Sequence, residues 1–100
     1  MQSSTLLLLT ALADGEGDSG TLLARLRVLT GDDSPSLATF YRRLKEGIDE
    51  GWVEVLEAGP ASGPGRPAQT YRITEAGRAA ARSEAKLWRT VSDRLLRGEG

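Results

Sequence analysis

The 100-residue sequence predicts a small α+β fold, mostly α: three helices, a two-stranded β hairpin, then a long C-terminal helix. Three observations carry that expectation. Four segments repeat apolar residues at helical spacing. Two short stretches alternate apolar and polar side chains, as strands do, on either side of a run rich in glycine and proline. Apolar residues make up 39% of the chain and charged residues 27%, a balance that suits one soluble globular unit and not a disordered tail.

The elements follow in order. Ser3 or Ser4 can cap a first helix over about Thr5 to Ala13, and its leucines fall on all sides, which predicts burial of most of its surface. Asp14-Gly15-Glu16-Gly17-Asp18 is turn chemistry. A second helix is expected over Ser19 to Leu29, with Leu22, Leu23, Leu26 and Leu29 on one face and Gly31 as its left-handed stop. Ser34 as N-cap and Pro35 in the first helical position open a third helix that runs to Glu50 and stops at Gly51. Its apolar stripe is Leu37, Phe40, Tyr41, Leu44 and Ile48, and its opposite face carries Thr39, Arg42, Arg43 and Glu46. Gly47 inside this helix would cost about 1 kcal/mol relative to alanine at an exposed position, so a close contact with a helix or strand is expected there. Trp52 to Leu56 and Gln69 to Ile73 read as strands, joined by a tip through Gly59 to Pro67. Thr74 caps a last helix from Glu75 to about Leu96, whose apolar stripe extends beyond what a small domain can cover and calls for a partner helix. Residues 1–74 thus form the main unit and residues 75–100 a dimerisation helix packed with it as a single compact body.

Composition removes whole classes of chemistry. Without cysteine or histidine the chain has no disulfide, zinc finger, thiol nucleophile or imidazole base. Its carboxylates are scattered among basic residues as on solvated helix faces, so no catalytic residue, metal site or cofactor is expected and the chain does not read as an enzyme. The run Leu6 to Leu9 is too short for a signal peptide or a membrane span, which predicts a cytoplasmic protein without a membrane partner.

The net charge of −1 does not itself point to a polyanion, but the charges are unevenly distributed. Asp14, Glu16, Asp18, Asp32 and Asp33 dominate the first third, and the cations gather later. The third helix combines small hydroxyl residues at its start with a basic outer face, and a hairpin follows it. That is a helix-turn-helix with a wing, the geometry in which a recognition helix enters the major groove of double-stranded DNA. Ser36, Thr39, Arg42 and Arg43 are the candidates for base or phosphate contact, and Lys45 suits a phosphate. Arg66, on Gly63-Pro64-Gly65-Arg66-Pro67, is placed to follow the adjacent backbone or minor groove. Ser34, Tyr41 and Gln69, in the same segments, complete the DNA-binding set. The dimer candidates are Ala80, Leu87, Trp88, Val91 and Leu95.

Thr39-Phe40-Tyr41-Arg42-Arg43-Leu44, followed by Glu50-Gly51-Trp52-Val53, resembles the recognition helix and first wing strand of the PadR family of winged helix-turn-helix transcriptional regulators. Gly65 to Arg78 is similar to that family's wing, second strand and start of the final helix, and Leu9 to Gly15 to its opening helix. The Tyr71-x-Ile73-Thr74-x-x-Gly77 part is shared with MarR-type winged helices, and the Thr39-Phe40-Tyr41 part is the more specific. The chain departs from the pattern in three places. Asp18-Ser19-Gly20-Thr21 replaces a His-Gly-Tyr-like opening, the Ser34-Pro35 to Tyr41 segment is two residues longer, and Gly47 stands where leucine is usual. The resemblance implies a homodimer through the last helix, a pseudo-palindromic operator, and repression released by a small molecule. It also implies a planar aromatic effector that Trp88 could contact; packing of the dimer is the preferred role for Trp88, because a buried tryptophan is usually structural. The alternative is a winged helix used for protein–protein interaction without specific DNA binding, which the weakly acidic net charge favours.

Overall fold

The computed structural model describes residues 1–56 and 69–98. Its elements are α1 (Ser3–Ala13), α2 (Ser19–Thr30), a 3-10 turn (Gly31–Asp33), α3 (Leu37–Asp49), β1 (Val53–Leu56), β2 (Thr70–Ile73) and α4 (Glu75–Arg97). Three helices, an antiparallel two-stranded sheet and a long terminal helix are the expected winged helix-turn-helix architecture.

α1 is the hub. Leu8, Leu9, Ala11 and Leu12 are buried on several sides of it, against Leu22 and Leu26 of α2, Phe40 and Leu44 of α3, and Val53, Tyr71 and Ile73 of the sheet. Each fully buried leucine removes enough apolar area from water to contribute roughly 1.5–3 kcal/mol before entropy is counted. The all-round leucine pattern therefore marks a central helix that touches α2, α3, α4 and the sheet. α1 begins at Ser3, two residues earlier than the cap chemistry predicts, with Gln2 as N-cap and no side-chain cap bond. The reason is that Ser4 is recruited elsewhere: its Oγ accepts from Arg43 Nε at 2.9 Å.

Asp18 caps α2, its side chain accepting from Thr21 N at 2.8 Å. That bond, at an exposed position, holds the Asp18 carboxyl below the ordinary aspartate range. Arg25, part-buried on α2, donates Nη1 hydrogen bonds to the carbonyls of Ala11 (3.1 Å) and Gly15 (2.6 Å), satisfying the end of α1. Of the predicted α2 face, Leu22 and Leu26 are buried and Leu23 packs at the edge, but Leu29 is 46% exposed because the helix runs past the core at its last turn. The two predicted glycine stops, Gly31 and Gly51, have φ of 62° and 78°, which a side chain would disfavour.

The sheet pairs Val53 with Ile73, Glu54 with Arg72, Val55 with Tyr71 and Leu56 with Thr70. Val53 and Ile73 face the core together, while Glu54 and Arg72 form a 2.9 Å ion pair on the solvent face. Val55 does not share the burial of Val53: it is 40% exposed, beyond the edge of the helical layer. A third segment joins that the sequence pattern does not reveal. Gly17 and Tyr71 exchange both backbone hydrogen bonds, at 3.1 and 2.9 Å, so the turn after α1 is a one-residue strand on the free edge of β2.

Two glycines are required by close approach. A Cβ on Gly47 would lie 2.8 Å from Val53 Cγ2, which is the helix–strand contact expected from its place in α3. A Cβ on Gly77 would collide with the carbonyl oxygen of Trp52 and come within 2.9 Å of Ile73 Cγ1. Thr74 locks the same corner: its Oγ1 accepts from Gly77 N (3.0 Å) and donates to the Gly51 carbonyl (2.6 Å). The Tyr71-x-Ile73-Thr74-x-x-Gly77 pattern is therefore two core side chains, a helix cap and a close backbone crossing.

Candidate nucleic-acid interface

α3 begins later than expected. Its N-cap is Ser36, whose Oγ accepts from Thr39 N at 3.2 Å, and not Ser34. Ser34 is drawn into the preceding turn, where its Oγ pairs with Thr30 Oγ1 at 2.8 Å and approaches the Gly31 carbonyl at 3.3 Å. Pro35 accordingly lies outside the helix.

Burial then divides the helix. Phe40, Arg43, Leu44 and Gly47 face the core. Leu37, Tyr41 and Ile48, expected in the apolar stripe, are 60%, 50% and 36% exposed, because they lie along one flank that no element covers among the described residues. Tyr41 leans on Phe40 edge to face, with centroids 5.1 Å apart. Ala38, Arg42 and Lys45, spaced i, i+4, i+7, form the exposed line opposite the core. Among the described residues Arg42 and Lys45 make no ion pair, so their charges face solvent. Thr39 is half-buried beside them.

Arg43 does not belong to that outward set. It is 8% exposed, its Nε donates to Ser4 on α1, and its Nη1 donates to both Glu46 carboxylate oxygens at 2.7 Å. Its expected place on the outer face is corrected: α3 turns it toward α1, where Ser4 and Glu46 satisfy it. Gln69 is exposed at the base of β2 and accepts from the Tyr71 hydroxyl at 3.1 Å. Arg66 and the rest of the predicted wing tip lie outside the described residues. The arrangement thus brings together Ser36, Thr39, Tyr41, Arg42 and Lys45 on α3. It also brings forward two residues that cap and charge reasoning overlooked, Leu37 and Ala38, which become the leading turn once the cap moves to Ser36.

On α4 the predicted stripe faces outward. Leu87, Trp88 and Leu95 are 54%, 46% and 68% exposed, Ala80 and Val91 are half-buried, and Leu96 adjoins them at 71%. Trp88 Nε1 donates to Glu84 Oε1 at 3.2 Å, one turn back. Toward the N-terminal half of α4, a groove of about 180 Å³ runs between it and α1, floored by Leu6, Leu9, Ala81 and Ala85. Among the described residues there is no cluster of His, Cys, Asp or Glu able to hold a metal ion, and no helix is long and apolar enough to cross a membrane.

No family model and no curated protein matches the sequence. Solved structures do match. The chain is similar to a PadR family transcription regulator from Clostridium difficile at 16% identity, covering 99% of this chain and 100% of that one, with a TM-score of 0.81. It is similar to a transcriptional regulator from Clostridium thermocellum at 15% identity, covering 97% and 96%, with a TM-score of 0.80. It is also similar to Bacillus subtilis PadR, solved in complex with operator DNA, at 20% identity, covering 85% of this chain and 48% of that chain, with a TM-score of 0.73. At 15–20% identity these likenesses show the fold and carry no residue roles across. The chain has the winged helix-turn-helix fold of PadR-like transcriptional regulators.

Proposed function

We propose that this protein is a transcriptional regulator that binds a specific double-stranded DNA site as a homodimer, through α3 in the major groove, and that it is not an enzyme. The observation that carries the proposal is the outward line of α3, where Arg42 and Lys45 stand exposed and unpaired among the described residues, on a helix braced from behind by Phe40, Leu44 and the Arg43–Ser4 bond. Cations on a rigid, protruding helix suit phosphates and guanine edges, and the hairpin beside it can track the flanking backbone. That a structurally similar regulator was solved with operator DNA supports the same use of the fold.

The finer reading is a repressor on a pseudo-palindromic operator, acting in the cytoplasm. Its two copies join through the Ala80–Leu95 stripe of α4, with residues 1–74 as the DNA-binding unit and 75–100 as the dimerisation helix. Release by a planar aromatic effector stacked near Trp88 fits the exposure of that ring, and packing against the partner helix fits it as well.

A salt titration of duplex binding tests the proposal. Each phosphate neutralised steepens the dependence of log K on log salt by about 0.9. Arg42→Ala, removing one cation from each protomer of a dimer, should flatten the slope by about 2 and weaken binding at all salt concentrations. Absence of duplex binding at low salt would instead favour the protein-interaction module, a use that the net charge of −1 suits.

A further inference from the structure

We infer that the leading turn of α3 reads thymine methyl groups, with Leu37 as the contact residue and Ala38 beside it. The inference rests on the DNA-binding reading above and sharpens it. In a recognition helix the N-terminal residues reach furthest into the major groove. In this chain those residues are Ser36, Leu37, Ala38 and Thr39. The Ser36 hydroxyl is engaged in building the helix: its Oγ accepts from Thr39 N and gives its hydrogen to Thr39 Oγ1 at 3.1 Å. The two side chains exposed between Ser36 and Thr39 are aliphatic. Leu37 is 60% exposed, Ala38 is exposed, and the core beneath is filled by Phe40 and Leu44, so among the described residues Leu37 has no part in the core.

A lone exposed leucine is ordinary on a protein surface. This one is distinguished by its surroundings. Tyr41 follows Leu37 on its own flank, and Ala38 leads the adjoining line of Arg42 and Lys45, so the apolar turn stands at the end of a helix carrying two exposed cations suited to holding it against a polyanion. The major groove offers one apolar feature, the C5 methyl of thymine, and a short apolar side chain is the complement to it. Arg42 and Lys45 then supply position and affinity, while Leu37 supplies discrimination of T·A from C·G pairs.

The test uses the full chain and a duplex recovered by selection from a random pool, with each thymine replaced in turn by deoxyuridine. This removes one methyl and leaves every hydrogen-bonding edge intact. Burying one methyl is worth about fourfold in affinity, so at least one position in each half-site should lose about fourfold with the wild type and nothing further with Leu37→Ala. Because Leu37 is exposed, the variant should melt as the wild type does, which is checked directly. Tight, salt-dependent binding without sensitivity to any uracil, or a penalty that persists unchanged in Leu37→Ala, overturns the inference and leaves the DNA-binding reading standing. If no duplex is recovered, both fall.

Discussion

Arg43 on α3 donates a 2.9 Å hydrogen bond from Nε to Ser4 Oγ on α1, across 39 residues of sequence, while its neighbour Arg42 faces solvent. Two adjacent arginines therefore have opposite roles. Arg43→Ala removes a part-buried, charge-assisted network with Ser4 and Glu46 and should lower folding stability by about 1.5–3 kcal/mol. Arg42→Ala should change stability by less than about 0.5 kcal/mol and reduce duplex affinity. Urea denaturation alongside binding isotherms separates the two, and equal behaviour of both variants would contradict the assignment.

The Gly47–Val53 contact makes an unusual prediction about helix propensity. Glycine to alanine within a helix ordinarily stabilises by about 1 kcal/mol. Here the added methyl would meet Val53 Cγ2 at 2.8 Å, on a side chain that is 3% exposed and anchored in the sheet. Overpacking of that kind costs about 1–3 kcal/mol, so Gly47→Ala should be net destabilising by about 1 kcal/mol. The loss should shrink in a Val53→Ala background, as a double-mutant cycle measured by denaturant unfolding would reveal. Gly77→Ala should be more severe, because the obstacle is the backbone of Trp52 and not a side chain.

Asp18 sets a pH dependence of known sign. Its carboxylate is stabilised in the folded state by the Thr21 backbone N–H, which lowers its pKa. A depressed folded-state pKa contributes stability above the ordinary aspartate range and loses it as pH falls through that range. Asp18→Asn keeps a good N-cap without the charge. The variant should therefore match the wild type more closely at acid pH than at neutral pH, which thermal unfolding across that range would measure.

The α4 stripe predicts association. Leu87, Trp88, Leu95 and Leu96 together expose more apolar surface than scattered residues would, next to the α1–α4 groove. Val91→Asp combined with Leu95→Asp should yield folded monomers in sedimentation experiments, with circular dichroism confirming the fold. A dimer that survives both changes would place the interface elsewhere.

Much of this fold could be read locally because the decisive chemistry is local. The Thr74 cap, the Gly31 stop and the limits of α4 follow from residues within one turn of each boundary. Gly47 was informative because a glycine there makes sense only beside a close neighbour. The start of α3 was less legible, since Ser34-Pro35 and Ser36-x-x-Thr39 are both good openings and the choice depends on Thr30 capturing Ser34. The burial of Arg43 had no local signal: arginine is usually exposed, and its partner Ser4 is distant in sequence. For the candidate site, Arg42 and Lys45 were identifiable by type and spacing, and Arg43 was not separable from them. The exposure of Leu37 and the engagement of the Ser36 hydroxyl depended on where the cap fell. The Gly17–Tyr71 bridge is a single residue pair and leaves no periodic trace.

Selection of bound duplexes from a random pool by the 100-residue chain is the most direct test of a dimeric DNA-binding regulator. A dimer with α3 in the major groove should select a two-fold symmetric consensus whose half-sites lie about one helical turn, or a multiple of it, apart, and whose recovery requires Arg42. No enrichment over the input pool, or enrichment that is indifferent to Arg42→Ala, would contradict it.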